Sequence, residues 1–491
     1  MNHTDRAAFA LALSLAAYAA PACAADAAGR GSADTTDDAD LRALVRQQAE
    51  QIRELSRRLS DLERRPPAAA AAADPVQAQV AAAVADTRDD ELAILQAQVA
   101  QQAATGRGSG DGARMNWRKG APEFASGDGR MTFRPRGRLL LDQTFTRGSA
   151  FAARNLSGSD LASARLGAEG EFGPLGYKVE ADFAGNEVTL KDAYLSYDTR
   201  LGGHAVEFYL GNKLKDRSLD GATSGVATPF MERNAVASVG GMQSGYFGLG
   251  LSAKVFGDGW HASLAVTGDD VGNAGDTSDT VAYLARAHWN PLRGGDGFVH
   301  LGGWYWYEKL GADVASINKT SPVALGWNDQ VRVSASSIAN VDNDRAWGAE
   351  LGAVYRSGWL FGERTLRTIE SDTVGEVRHK ASSVYAGWLL TGEKPGFSRR
   401  SGVWTATRVL QPVDQGGIGA FELALRYDRY DFTDAARGGD GDAWTLGLNW
   451  YLNDWSRLML NYVFWKTDNK VGAFQGPDSG RTLGLRAQVA F

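Results

Sequence analysis

Basic side chains occupy the polar phase of a series of alternating segments: Arg138, Arg165, Lys178, Lys213 and Lys254, with Arg286, Arg426 and Arg486 further along. On an extended chain, period two puts these residues on the face opposite their apolar neighbours, here toward water or a polar interior. Arg and Lys donors converging where water is scarce hold oxyanions by charge-assisted hydrogen bonds, and a row of weak sites lets an anion both bind and leave. The same residues suit a plainer use. Paired with Asp142, Glu169, Glu180, Asp182, Glu207 and Asp428 on neighbouring segments, they would brace a wall. The sequence leaves both uses open.

Regular apolar positions fade between Asp216 and Asn234, and the stretch ends in Met231-Glu232-Arg233-Asn234. It is expected to fold inward and narrow the interior, with Ser224, Glu232 and Arg233 fixing it to the wall or touching solute. The alternative is an external loop. The candidate anion-contacting set is therefore Arg138, Arg165, Lys178, Lys213, Ser224, Arg233 and Lys254. The sequence lacks the parts for bond chemistry. There is no Gly-x-Ser-x-Gly and no Walker loop, and His261, His288 and His300 have no nucleophile and acid at matching pitch. The six histidines show no metal-ligand spacing. Neither an enzyme nor a cofactor nor a metal is expected.

The elements that must carry these side chains are strands. From Met115 onward, alternating segments of about nine to eleven residues are separated by Gly, Asn and Asp clusters, the lengths of barrel strands. Examples are Lys178-Val179-Glu180-Ala181-Asp182-Phe183 and Trp444-Thr445-Leu446-Gly447-Leu448-Asn449-Trp450. The 59 glycines and the 14 tryptophans, 15 tyrosines and 19 phenylalanines push composition the same way. Past the leader no apolar run reaches the ~18 to 20 residues of a spanning helix. A chain of this kind in lipid must close its strands into a barrel, because every backbone N–H and C=O needs an internal partner. Aromatic residues near segment ends (Trp304 to Tyr307, Trp388, Trp444, Trp450, Trp455, Tyr462, Phe464, Trp465) are expected to form interfacial girdles. At about 23 residues per strand and turn, the roughly 375 residues after the linker make about 16 strands. Alternation is lost between Val314 and Asn340, where either strand or a long loop fits. Formal net charge is -6 and no basic face is present, so nucleic acid is not an expected partner.

Ahead of the barrel, residues 1–24 form an export leader: Arg6, the apolar run Ala7 to Ala20, and Ala22-Cys23-Ala24 as a cleavage pattern. Lipid modification of Cys23 is the alternative. Over 38–65, Leu41, Val45, Gln48, Ile52, Leu55, Leu59 and Leu62 alternate spacings of four and three, a coiled-coil stripe that predicts self-association, or else a lone amphipathic helix. Residues 66–114 read as an Ala/Pro/Gly-rich linker with a second short helix, and 115–491 as the barrel.

The segment Ser163-Ala164-Arg165-Leu166-Gly167-Ala168-Glu169-Gly170, then Lys191-Asp192-Ala193-Tyr194-Leu195, Gly211-Asn212-Lys213, and Thr223-Ser224 leading to Phe230-Met231-Glu232-Arg233 resembles the phosphate-selective porin O and P family. The resemblance is specific in the first half of the barrel. It implies an all-β fold, a homotrimer of 16-stranded barrels in the outer membrane, and a constriction lined by Arg and Lys that passes small inorganic anions such as phosphate or polyphosphate. Residue by residue, Arg138 matches a pore-facing arginine of the first strand and Arg165 the last arginine of an Arg-Arg-Ala-Arg run. The sequence departs at two places. The run reads Ala162-Ser163-Ala164-Arg165, without the paired arginines, and Asp220-Gly221-Ala222-Thr223-Ser224-Gly225 has glycines where phosphate-selective members have lysines. The last strand, ending on Phe491, has the form by which the outer-membrane assembly machinery engages porins. The stalk is expected in the periplasm. The alternatives are a general or differently selective porin of this fold, and an envelope protein whose stalk tethers the outer membrane to the cell wall.

Overall fold

A computed structural model describes residues 113–271 and 279–491. The expected leader, the coiled coil and all but the last two residues of the linker lie outside the described residues. The first strands, β1 (Arg114–Arg118) and β2 (Ala121–Ala125), make a hairpin that leads into the barrel proper. The barrel strands follow as β3 (Met131–Arg147), β4 (Ser157–Phe172), β5 (Leu175–Asp182), β6 (Thr189–Leu201), β7 (His204–Leu214), β8 (Phe247–Gly257), β9 (Trp260–Thr267), β10 (Val281–Trp289) and β11 (Gly297–Lys309). A separate hairpin, β12 (Ser316–Pro322) and β13 (Arg332–Ala339), precedes β14 (Val341–Tyr355), β15 (Gly358–Ser371) and β16 (Gly375–Leu389). A short hairpin, β17 (Phe397–Ser398) and β18 (Val403–Trp404), precedes β19 (Ala420–Asp431), β20 (Asp440–Asn453), β21 (Ser456–Asn469) and β22 (Gly476–Ala490).

Sixteen of these strands pair antiparallel in chain order, and β22 pairs back onto β3, from Arg481↔Arg147 to Ala490↔Arg138. The closing ladder is continued by Gly137 and Phe491, each donating its N–H to the other's carbonyl. Closure leaves no edge with unpaired amides, which is the condition for strands to sit in lipid. Alternation sorts the faces as the sequence predicts. Along β14, Trp347, Leu351 and Tyr355 face outward and are about half exposed, while Asp344 and Glu350 are buried inside. At the end where the chain enters and leaves the barrel, several strands turn within two residues. Gly202 and Gly203 at φ 58 and 84 do so between β6 and β7, a turn that needs left-handed backbone at both positions.

Three connections among the described residues fold inward. One runs from 215 to 246 and contains two short helices, α1 (Leu219–Ala222) and α2 (Ala235–Val239), capped by the Ser218 and Asn234 side chains. The second is the 310–340 stretch carrying β12 and β13. The third, 390–419 with β17 and β18, enters from the end where β3 begins and β22 ends. Their apolar residues meet inward aromatic side chains of the wall. Met231, Val236, Leu325 and Val333 pack with Trp304, Trp306 and Trp465. Leu219 and Phe230 pack with Trp359, Phe361 and Tyr385 of the wall and with Trp404 of β18.

These contacts correct two sequence expectations. Trp304, Trp306 and Trp465 are no girdle residues; each is at most 4% exposed and points inward, because the inward connections supply apolar surface where a water-filled lumen would not. Tyr305, Trp388, Trp444 and Phe464 do face outward. The 314–340 stretch is neither wall nor plain loop but a hairpin inside the barrel.

Candidate functional site

The site is the inner face of β3 to β8 opposed by the 215–246 loop. On β3, period two places Arg134, Arg136 and Arg138 in one inward row. Arg138 stands directly across from Arg165 on β4, an arrangement of like charges that needs a counter-ion between them. Glu180 on β5 provides it: its Oε1 lies 3.2 Å from Arg138 Nη2 and 2.9 Å from Arg165 Nη1. Arg165 Nε also meets Asp182 at 2.8 Å, and Asp182 is itself fixed by donation from Ser163 Oγ and the Ala164 N–H. Lys178 pairs with Asp192 at 2.7 Å, and Lys254 pairs with Asp216 at 2.7 Å.

Lys213 differs. It has no ion pair among the described residues; its ammonium lies 4.5 Å from the centre of the Tyr209 ring and 5.8 Å from that of Tyr194, a cation–π seat. Across from this wall, Arg233 donates Nε to the Asp220 carbonyl (3.2 Å) and Nη2 to the Thr223 carbonyl (2.7 Å), and its guanidinium lies 4.8 Å from the Tyr246 ring centre. Backbone carbonyls and a ring leave its positive charge uncancelled. Ser224 is exposed beside it. A Cβ built on Gly225 would lie 3.8 Å from Arg233 Nη1 and 4.0 Å from Arg138 Nη1, so Gly225 marks the gap between loop and wall cations.

The loop is held by the far wall. Glu363 on β15 accepts from the Leu219 N–H (2.9 Å) and Asn234 Nδ2 (2.6 Å), Asp428 from the Ala235 N–H (3.0 Å), and Asn461 Oδ1 from the Met231 N–H (2.9 Å). Arg426 and Arg486 donate to the carbonyls of Glu232 and Met231. A loop with this many backbone groups tied to the wall has a fixed path.

The structure brings Arg138, Arg165, Lys178, Lys213, Ser224, Arg233 and Lys254 to one side of the lumen. Arg286, Arg426 and Arg486 also point inward, as alternation predicts, yet they are walled off behind the loops and ion-paired, with Glu350, Asp428 and Asp142. The inward loop extends past the expected Asn234 to Tyr246, because Ala235–Val239 forms a helix whose apolar residues pack into the core. Glu232 ties the loop to the 310–340 stretch: its carboxylate accepts from the Gly326 N–H, and burial raises its pKa above the ordinary value. Arg134 and Arg136 were missed, although two steps of period two back from Arg138 reach both. They line a cavity of about 250 Å³ with Lys119, Ser224, Arg457 and Phe491.

A closed sixteen-strand antiparallel barrel with an apolar exterior and a polar interior narrowed by inward loops is an outer-membrane porin. The chain matches the phosphate-selective porin O and P family over residues 133–491 and belongs to it. Porin O of Pseudomonas aeruginosa is 26% identical over 437 residues, 80% of this chain and 96% of that one. An uncharacterized protein of Caulobacter vibrioides is 29% identical over 370 residues, 71% of each chain. Among solved structures, the anion-selective porin from Comamonas acidovorans aligns with a TM-score of 0.43 and 15% identity, covering 74% of this chain and all of that one. OmpT of Vibrio cholerae aligns with a TM-score of 0.46 and 12% identity, covering 74% and 98%.

Proposed function

We propose that the barrel is a passive channel for small anions, and that the Arg138–Gly225–Arg233 gap is its constriction. The observation that carries this reading is Arg233. A guanidinium held, among the described residues, by carbonyls and a ring, facing a wall arginine across a glycine, keeps positive charge beside the passage. Lys213 extends the field along the wall. Phosphate is a weak ligand on this reading, since Glu180, Asp182 and Asp192 neutralise Arg165 and Lys178, and glycine stands where a loop lysine would add a donor. Relatives in the phosphate-selective family favour oxyanions as the solute class. The working unit is a homotrimer, exported through the 1–24 leader, with the 38–65 coiled coil as a periplasmic stalk; the heptad spacing supports this assembly.

The test is the reversal potential of the purified protein in a planar bilayer under a salt gradient, repeated with added phosphate. Preference for anions with partial block by millimolar phosphate is the expected result. Cation preference, or no ion current at all, would overturn the reading in favour of a barrel that serves only as an anchor.

A further inference from the structure

Two arginines stand side by side on the outer wall, where the last strand of the barrel meets the first. Arg147 on β3 and Arg481 on β22 are directly opposite in register, and so are their neighbours Thr146 and Thr482. The threonines are buried on the inner face and share a hydrogen bond of 3.1 Å. Alternation therefore turns both arginines outward, where they are exposed. Cross-strand partners have Cβ atoms about 4.5–5.5 Å apart, and like charges so placed repel. Inside the barrel the same arrangement, Arg138 across from Arg165, is relieved by Glu180. On the outer face no carboxylate of the chain does this.

The neighbouring acids are committed elsewhere. Asp478, nearest in the chain to Arg481, points inward, pairs with Arg154 at 2.8 Å and accepts from Ser149 Oγ and the Ala150 N–H. Asp142, nearest in the chain to Arg147, points inward to Arg486. On β21, Asp468 pairs with Lys470 at 2.7 Å, and on β20, Asp442 lies 3.8 Å from Arg429. The flanking connections, 148–156 and 470–475, contain no Asp or Glu. Phe151 and Phe474 clasp them together, with ring centres 5.4 Å apart. A third cation adds to the pair. Lys466 is exposed on β21 one outward step beyond Phe464, and Phe464 is the register partner of Arg481. Among the described residues, Arg147, Arg481 and Lys466 have no ion pair.

Their height on the wall decides the ligand. Apart from 390–419, the short turns lie at the opposite end, so these cations are on the outer-leaflet side of a bacterial barrel. Trp444, Phe464, Arg481 and Arg147 follow one another in a single register row. The two aromatics face outward about half exposed, at the level where a belt of rings marks the edge of the hydrocarbon. Below the arginines, Leu141, Phe145, Leu483 and Leu485 continue the outer face as an apolar track. The cations thus begin where acyl chains end and headgroups start. We propose that Arg147, Arg481 and Lys466 bind the phosphorylated headgroup of an outer-leaflet lipid, which supplies the counter-charge that the chain withholds. Two guanidinium forks side by side fit the oxygens of one phosphate, and Lys466 takes a further acceptor of the same headgroup. Since the arginines belong to β22 and β3, the phosphate bridges the closing ladder from outside, as the two threonines bridge it from within.

Native mass spectrometry of the full-length protein in neutral detergent, titrated with diphosphoryl lipid A, tests the site. The wild type should retain the lipid. Arg147→Gln combined with Arg481→Gln should bind it about 25-fold more weakly, at roughly fivefold per basic residue beside an anionic lipid surface. Arg378→Gln, exposed on β16 away from the seam, should bind like the wild type. Lipid A should raise the melting temperature of the wild type and not of the double variant. Without lipid the double variant should melt no lower than the wild type, having lost a repulsion and no partner. Equal lipid binding by both, or a lower melting point of the lipid-free variant, would overturn the proposal. Two other occupants show in the same experiment. If inorganic phosphate stabilises the wild type over the double variant as much as lipid A does, the site takes a soluble anion. If the double variant changes the number of subunits in the complex, the pair lies between copies of the chain. Either result refutes the lipid site. Should the double variant fail to assemble, Arg481→Gln alone decides, with its roughly fivefold loss.

Discussion

Gly225→Asp places a carboxylate in the gap between Arg138 and Arg233. The backbone accepts the change, since Gly225 is not among the residues at positive φ, and the new Cβ has room at 3.8 and 4.0 Å from the two guanidinium nitrogens. One carboxylate offsets the charge of Arg233, since Arg138 already shares Glu180 with Arg165. For a monovalent anion about 4 Å away, that removes about 1 kcal/mol at the dielectric of water and about 4 kcal/mol at an effective dielectric near 20. Salt does not erase the effect, because these separations are shorter than the Debye length of about 10 Å at 0.1 M. A cation gains what an anion loses, so even the lower figure moves the anion-to-cation permeability ratio by about 2 kcal/mol, roughly thirtyfold at about 1.4 kcal/mol per factor of ten. The assay is the reversal potential in a KCl gradient, with Gly225→Asn as the control of equal size and no charge. Asn is expected to lower conductance while keeping the ratio within about twofold of wild type on the same scale. If Asp and Asn give the same ratio, Arg138 and Arg233 do not set selectivity at this gap.

Gly225→Lys should act in the opposite sense, adding a donor that phosphate can use, and current block by phosphate should strengthen by about tenfold for one charge-assisted hydrogen bond of ~1.5 kcal/mol. Glu363→Gln turns an amide NH₂ toward the Leu219 N–H while its oxygen keeps Asn234 and Tyr385, a donor-to-donor contact costing about 1–3 kcal/mol; the loop should fluctuate, measured as added noise in the open-channel current with barrel melting little changed. Arg154 is fully buried at the opposite end, where it pairs with Asp478 at 2.8 Å and donates to Thr467 and the Gln330 carbonyl. Arg154→Ala leaves Asp478 without its cation at a cost of about 3–5 kcal/mol, and trypsin should then cut after Arg332 faster than in the wild type.

The barrel was legible because its signal is local. A period of two, interrupted by glycine turns, fixes which side chains share a face wherever strands close in lipid, and Arg138, Arg165, Lys178, Lys213 and Lys254 fall inward on that ground alone. Which inward residues reach solute was not legible, because this depends on partners far along the chain. Arg486 and Arg138 have the same phase, yet Arg486 is sealed under Met231 and Arg138 faces the gap. The Trp304-Tyr305-Trp306-Tyr307 run shows the same limit. Alternation says that two of these aromatics share one side, but the surface that buries Trp304 and Trp306 comes from the 215–246 and 310–340 connections, whose sequences do not announce an inward path. Arg134 and Arg136 are a different case, since the Arg-x-Arg-x-Arg row was plain in the sequence.

The pairing of β22 with β3 brings together residues more than three hundred positions apart. Until the last strand is in place the wall is an open sheet, with one row of amides bare on β3 and another on β21, and neither can be tolerated in hydrocarbon. The chain therefore has no stable halfway house in the membrane. It must remain unfolded, or be escorted, until the fifteen residues of β22 have arrived, and a truncation there forfeits the whole cylinder where the same loss from a row of stacked repeats would forfeit one unit.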